Sequence, residues 1–390
     1  MKQKIILAIC LLLAGCTTPL KERNISSLSN KEIDRLWVVV DKKQRKDSLI
    51  RSNPQHFWAW MEANSQKQMN DLLKYEGAIT ADPHFFNFAD VHASGGQNGL
   101  ALVDVDDSGT GPFILDFVRY SLFVKAYVKD QHGQTDMAQL IPDMYDMYVK
   151  GLSQEKVKAP KVFQNVINQS YAKLNQENAA WVDKNLDNPQ NKDFGLRKKE
   201  IGLLDISKER KQPAKDLQKA LLDENKVKEI YDIGFTVNDS GSSRGLSRYW
   251  LSVRLDKNTR RIIECKQLSR PATDYYETQK DNSTRIANVL KYYSDVQIDD
   301  SYVMNIAADS YWCRPREFKF IRRGDIENLS KADMKELSLY LAYWIGSKQS
   351  LQPGAKGYLS TLKKNNDTSD RVDKLINNYE RNIDSLSPGK

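Results

Sequence analysis

Between two stretches of helical periodicity, residues 31–74 and 116–149, the chain changes character. Over 79–116 it breaks into short apolar bursts, glycines and turn residues, which predicts loops and brief strands set against helices, 100–105 being one strand. Inside the first stretch, Asn53-Pro54 predicts an interruption, and Phe57, Trp58, Trp60 and Met61 form an apolar stripe suited to a core. A second strand-like region follows at 230–268, where 249–255 alternates, 256–258 turns and 261–267 resumes. Further on, 286–293 reads as helix, 302–306 and 311–314 as extended, and 331–350 as helix again. The charged, Asn/Lys-rich segment 175–215 predicts a surface insertion with one or two helices, and the chain after Lys363 a polar tail with a helical patch at 372–379. Taken together the pattern is mixed α+β.

The first sixteen residues say where such a fold would work. Lys2 and Lys4 precede an apolar run, residues 5–15, that is too short to span a bilayer as a stable helix and ends in Leu13-Ala14-Gly15-Cys16. This is the pattern of a bacterial lipoprotein signal, with cleavage before Cys16 and acylation of that cysteine. Thr17 follows rather than the Asp linked to inner-membrane retention, so in a Gram-negative cell the expected address is the outer membrane, facing the periplasm. Residues 16–30 would be the tether. Removing 1–15 takes two lysines and no acids, lowering the net charge from +8 to +6. That modest excess is spread along the chain, without the basic and aromatic interleaving of a nucleic-acid groove. No second apolar run is long enough to cross a membrane. Apart from Cys10 and Cys16 the only cysteines are Cys265 and Cys313, which an oxidising compartment permits to pair, and four scattered histidines argue against zinc.

Candidate chemistry is densest between Asp82 and Asp116. Asp82-Pro83-His84-Phe85-Phe86-Asn87 is followed, seventeen residues after Asn87, by Asp104-Val105-Asp106-Asp107 at the end of an apolar strand. A carboxylate, an amide five positions on and a further carboxylate at a strand end are what magnesium-dependent phosphoryl transfer needs. One carboxylate orients the attacking hydroxyl and accepts its proton, while the amide and the second carboxylate hold a hard cation against phosphates. Aspartates beside glycine also cap turns, so each half alone is weak. A calcium loop fails because Leu115 stands where a bidentate Glu is required.

With Gly111-Pro112-Phe113-Ile114-Leu115-Asp116 and Arg119, these runs resemble the domain of unknown function 2252 family, whose pattern is Gly-Asp-x-His-x-x-Asn-Phe, Asp-Phe-Asp-Glu and Gly-Pro-aromatic-x-x-Asp. The first two also resemble the catalytic and metal-binding loops of aminoglycoside phosphotransferases and other protein-kinase-like enzymes. Later, Gly241-Ser242-Ser243-Arg244-Gly245 resembles a glycine-rich loop over phosphates, and residues 262–266 the strand carrying a phosphate-binding lysine, Lys266. Period-two alternation sends Lys266 and Cys265 to opposite faces.

The resemblance implies a two-lobed kinase-like fold over 31–390. It has a mostly helical catalytic lobe (31–225), a β-rich nucleotide lobe (226–320) and a helical return (321–390). An ordinary kinase runs glycine-rich loop, lysine strand, helix, hinge strand, helix, catalytic loop, metal loop; here the last two come first, which implies circular permutation. On this resemblance Asp82 is catalytic, Asn87, Asp104 and Asp106 bind Mg²⁺, and Lys266, Gly241, Ser243 and Gly245 contact ATP or another nucleotide. Asp116 would anchor the catalytic loop, 311–314 would be the hinge strand and Glu277 a partner for Lys266. The activity implied is transfer of a phosphoryl group to an unknown small-molecule or protein acceptor. The competing expectation is a non-catalytic kinase-like lipoprotein acting in binding or assembly in the envelope. The chain departs from the family at Ala81, where Gly is usual, at Ser242 and Arg244 in the glycine-rich loop, at Asp107 in place of Glu, and at Gly346-Ser347-Lys348, which lacks an expected His.

Overall fold

The computed structural model describes residues 28–39, 43–93, 97–133, 139–167, 171–187, 194–237, 245–256, 259–298, 300–316 and 319–387, so Cys16, Gly241 and Ser243 lie outside the described residues. Its fold is mixed α+β, with every strand pairing antiparallel. Strands β1 (Glu76–Ile79) and β4 (Gly109–Pro112) pair, as do β2 (Phe88–Ala93), β3 (Gln97–Leu102) and β10 (Lys319–Phe320). The largest sheet joins β5 (Glu229–Val237), β6 (Ser247–Arg254), β7 (Arg260–Gln267), β8 (Tyr302–Ile306) and β9 (Asp309–Pro315) in the order β5-β6-β7-β9-β8.

Helices form the larger body. Asn53 closes the helix Lys46–Ser52 and Pro54 opens Pro54–Asn64 at its first position, where a missing N–H costs nothing. At the centre lies Phe113–His132, buried almost all round, as expected of a helix apolar on every face. Helices Leu140–Leu152 and Lys331–Gln349 cross at two glycines: a Cβ on Gly151 would strike the Tyr343 carbonyl, and one on Gly346 the Tyr148 carbonyl. Backbone contact therefore accounts for Gly346. Its neighbour Lys348 donates to the Ser294 carbonyl at 3.0 Å and pairs with Asp295 at 2.6 Å.

Two expectations need correction. The polar tail is a regular helix, Thr368–Leu386, whose Val372, Leu375, Ile376, Tyr379 and Ile383 are buried in the main core. Their three-and-four spacing is the signal that the high polarity masked. Segment 175–215 is not merely a surface insertion either. Val182, Leu186, Phe194, Leu196 and Leu203 form an apolar cluster with Trp250 and Ile262 and so cover part of the large sheet.

That sheet has two different faces. Outward, Tyr249, Leu251, Val253, Ile263, Cys265, Met304 and Cys313 pack with Ala214, Leu217 and Leu221 of the helix Lys211–Asp223. Cys265 and Cys313 are cross-strand neighbours joined by a disulfide. Inward, the paired residues Arg248, Lys266 and Trp312 form one row and Trp250, Glu264 and Arg314 the next. Among the described residues no helix is long and apolar enough to cross a membrane.

Candidate active site

The β2–β3 hairpin brings the two acidic motifs to one end. Asn87 immediately precedes β2 and Asp104 follows β3, and Val103 N–H donates to the Asn87 carbonyl at 3.0 Å. Asn87 Nδ2 in turn donates to the Asp82 carbonyl at 2.8 Å, closing the six-residue loop. The turn before Asp82 is pinned by Asp116, fully buried near the start of the central helix. Its carboxylate accepts from Thr80 N–H (3.1 Å), Ala81 N–H (2.9 Å) and the Thr80 hydroxyl (3.2 Å). Burial nonetheless pushes the Asp116 carboxyl up to about 6. Ala81 adopts φ 66°, the left-handed conformation a glycine takes without strain. The Ala81 carbonyl accepts from Trp58 Nε1 at 2.9 Å, so the strained residue is held from both sides.

Asp82 faces a guanidinium. Arg119 Nη2 and Nε lie 2.6 and 3.0 Å from Asp82 Oδ1, and Arg119 is wholly buried. Burial would raise the Asp82 carboxyl, but the Arg119 guanidinium outweighs it and holds it below the usual carboxylate range. Desolvation lowers His84 despite Asp82, 3.5 Å away. Its Nε2 accepts from Arg51 Nε at 3.3 Å, as a neutral ring can. The charges of Asp82 and Asp104 both act on Arg51, which places the two motifs in one electrostatic neighbourhood.

Lys266 joins these acids from strand β7 of the five-stranded sheet. Its Nζ lies 3.3 Å from Asp104 Oδ1 and 2.5 Å from Asp106 Oδ2, across 160 residues of sequence. The lysine is 2% exposed, while the side chain of Asp104 keeps a third of its surface open. Burial alone would raise Asp104; Lys266, Arg314 and Arg248 instead hold it far below the usual range. Asp106 is pushed up by burial and by the Asp104 charge, against the opposing pull of Lys266. Burial opposes charging Lys266, yet the two aspartates keep its pKa above the ordinary value.

The partner of Lys266 is therefore this aspartate pair and not Glu277. Gly245 takes φ 80° just before β6, at the end of the hairpin loop whose other named glycine and serine are outside the described residues. Asp107 makes a long-range tie, its Oδ1 accepting from the N–H of Ala272, 165 residues along the chain, at 3.0 Å.

A second layer was not read from the sequence. Glu264, 1% exposed, is shared by three guanidiniums: Arg314 at 3.1 Å, Arg316 at 3.7 Å and Arg248 at 3.8 Å. Arg314 Nη1 also donates to the Val103 carbonyl, tying the sheet to the residue before Asp104. Burial works against ionising Glu264, but Arg316, Arg314, Arg248 and Lys266 bring it down to about 2. A depressed carboxyl stabilises the fold above its unfolded pKa near 4.5 and loses that contribution as pH falls toward 2, here roughly 3 kcal/mol. In urea unfolding from pH 6 to pH 2, the stability gap between wild type and Glu264→Gln should shrink by about that amount; a gap independent of pH would contradict it.

No family model matches this chain, and neither a curated protein nor a solved structure does so.

Proposed function

We propose that this chain is a magnesium-assisted phosphotransferase with a circularly permuted kinase-like fold, held outside the cytoplasm by lipid on Cys16. The observation that carries the reading is the Lys266 ammonium seated between Asp104 and Asp106, with the residue before Asp104, Val103, hydrogen-bonded to the Asn87 carbonyl at 3.0 Å. The order of parts supports it: hairpin β5–β6, lysine strand β7, helix Asn282–Tyr292, then β8 and β9 with β9 beside β7. The ends of the described chain also meet, as permutation requires. Trp37 Nε1 donates to Ser387 Oγ at 3.0 Å, and Lys46 pairs with Asp384 at 2.9 Å. A cross-strand disulfide is in keeping with an oxidising compartment.

The donor atoms suit a hard cation. Asp104, Asp106 and the Asn87 amide offer only oxygen, and no cluster of three His, Cys, Asp or Glu among the described residues could cage a metal alone. Magnesium is bound in that way, through one or two carboxylates, with waters and substrate phosphates filling the rest of its shell. Bound there, it would offset charge on the phosphate oxygens. Lys266 would hold the donor's phosphate chain as a point charge.

Asp82, fixed by Arg119, accepts a hydrogen bond from the acceptor hydroxyl and aims its oxygen at phosphorus. As that O–P bond forms, the bridging P–O bond of the donor breaks and its electron pair leaves with the shortened chain. The hydroxyl proton passes to Asp82. Because Arg119 keeps Asp82 weakly basic, its part is mainly orientation, which a loose phosphoryl-transfer transition state tolerates.

Thermal unfolding with Mg²⁺ and ATP, GTP or inorganic tripolyphosphate tests the reading. A ligand at 100 times its Kd stabilises by about 2.7 kcal/mol. That shift should require Mg²⁺ and vanish in Asp104→Asn, each measured against its own ligand-free protein. No shift with any phosphate-chain compound would leave only an envelope-binding role.

A further inference from the structure

We infer that the donor is recognised by its phosphate chain alone, as an inorganic polyphosphate or pyrophosphate-type polyanion rather than a nucleotide; this rests on the phosphotransferase reading above. A nucleoside base needs a flat apolar slot with an aromatic or aliphatic wall and a few polar edge contacts. On the sheet face that carries Lys266 the aromatic walls among the described residues, Trp312 and Trp250, are already covered.

Glu264, two residues before Lys266, shares its face, and a buried carboxylate is a poor neighbour for a purine. Both tryptophans on that face already have a guanidinium over them, Arg314 above Trp312 at 4.4 Å and Arg316 above Trp250 at 4.9 Å. Beyond Glu264 the face is filled: Ser252 donates to the Phe194 carbonyl at 2.9 Å, and Trp250 and Ile262 pack with Val182, Leu186, Phe194, Leu196 and Leu203.

What remains accessible beside Lys266 is charge. The side chains of Arg248 and Arg316 keep 21% and 28% of their surface, and Asp104 keeps 33%. Guanidiniums recognise phosphate oxygens in pairs, and a row of them matches a chain of repeated phosphates better than one base. Such a donor needs no nucleotide pool. In the transfer step the acceptor oxygen bonds to the terminal phosphorus and its proton passes to Asp82. The terminal P–O–P bridge breaks, and the electron pair stays on the shortened polyphosphate.

Calorimetric titration of the full chain with Mg²⁺ plus tripolyphosphate, ATP or AMP decides the matter. Tripolyphosphate should bind at least as tightly as ATP, and AMP should not bind. Arg316→Gln and Arg248→Gln should each weaken tripolyphosphate about tenfold or more, the range of one hydrogen bond to a charged group. If ATP binds ten times tighter than tripolyphosphate, or AMP competes, a base slot exists and the inference fails while the phosphotransferase reading stands. If none of the three binds, both fail. Should Arg316→Gln prove unstable, Arg248→Gln carries the same comparison.

Discussion

Arg119→Met should cost about 3–5 kcal/mol of stability, the range for stripping one partner from a buried ion pair. Methionine keeps much of the packing over Phe57, where the guanidinium now lies 5.1 Å from the ring centroid. What it cannot supply is the charge opposite Asp82 or the donor to the Ile50 carbonyl, 2.7 Å away. The carboxylate would then sit in a buried loop with His84, whose ring desolvation keeps neutral, as its nearest titratable neighbour. The penalty should shrink as pH falls through the ordinary carboxylate range, since a protonated Asp82 needs no counter-charge. The double variant Asp82→Asn/Arg119→Met should recover part of the loss. Chemical denaturation at pH 7 and pH 4 measures all three. A loss under 1 kcal/mol at pH 7 would mean the pair contributes little to the fold.

Lys266→Met should reduce phosphoryl transfer about 10²–10³-fold, the usual cost of deleting one preorganised electrostatic contact in a water-poor site. On the proposed phosphotransferase reading the loss should fall on kcat at least as much as on KM, because the ammonium would neutralise charge that develops in the transition state. A second readout separates this from simple unfolding. Without Lys266, Asp104 and Asp106 face each other without the ammonium that now bridges them. Mg²⁺ alone should therefore raise the melting temperature of Lys266→Met more than that of wild type. If Mg²⁺ stabilises neither protein, the two aspartates are not an ion-binding pair.

Much of the acidic half of this site is legible in the sequence, because its parts are local. Asp82 and Asn87 share one short loop and Asp104 ends the next hairpin, so spacing alone brings them to one end. Strand alternation separates Lys266 from Cys265 for the same reason. What stayed hidden depends on long-range pairing. Arg314 and Arg248 reach Glu264 only because β6 and β9 flank β7, and nothing in a single strand distinguishes such an arginine from an exposed one. Arg51 lies in a helix with no motif, yet hydrogen-bonds His84. Glu277, named as a candidate partner of Lys266, fails for the same reason: the fold supplies Asp104 and Asp106 from far upstream. Thr368–Leu386 was underestimated because a charged exterior diluted a regular apolar seam.

The bond between Cys265 and Cys313 carries a consequence for strand alignment. Sliding β7 by a single position against β9 would exchange its faces, burying an ammonium in the outer core and presenting a sulfur to the aspartates. A covalent cross-link between directly opposed residues forbids that slide. It works as an indexing pin: thermal loosening can fray the hydrogen bonds of the sheet, but on re-zipping the lysine returns to the side that holds Asp104 and Asp106.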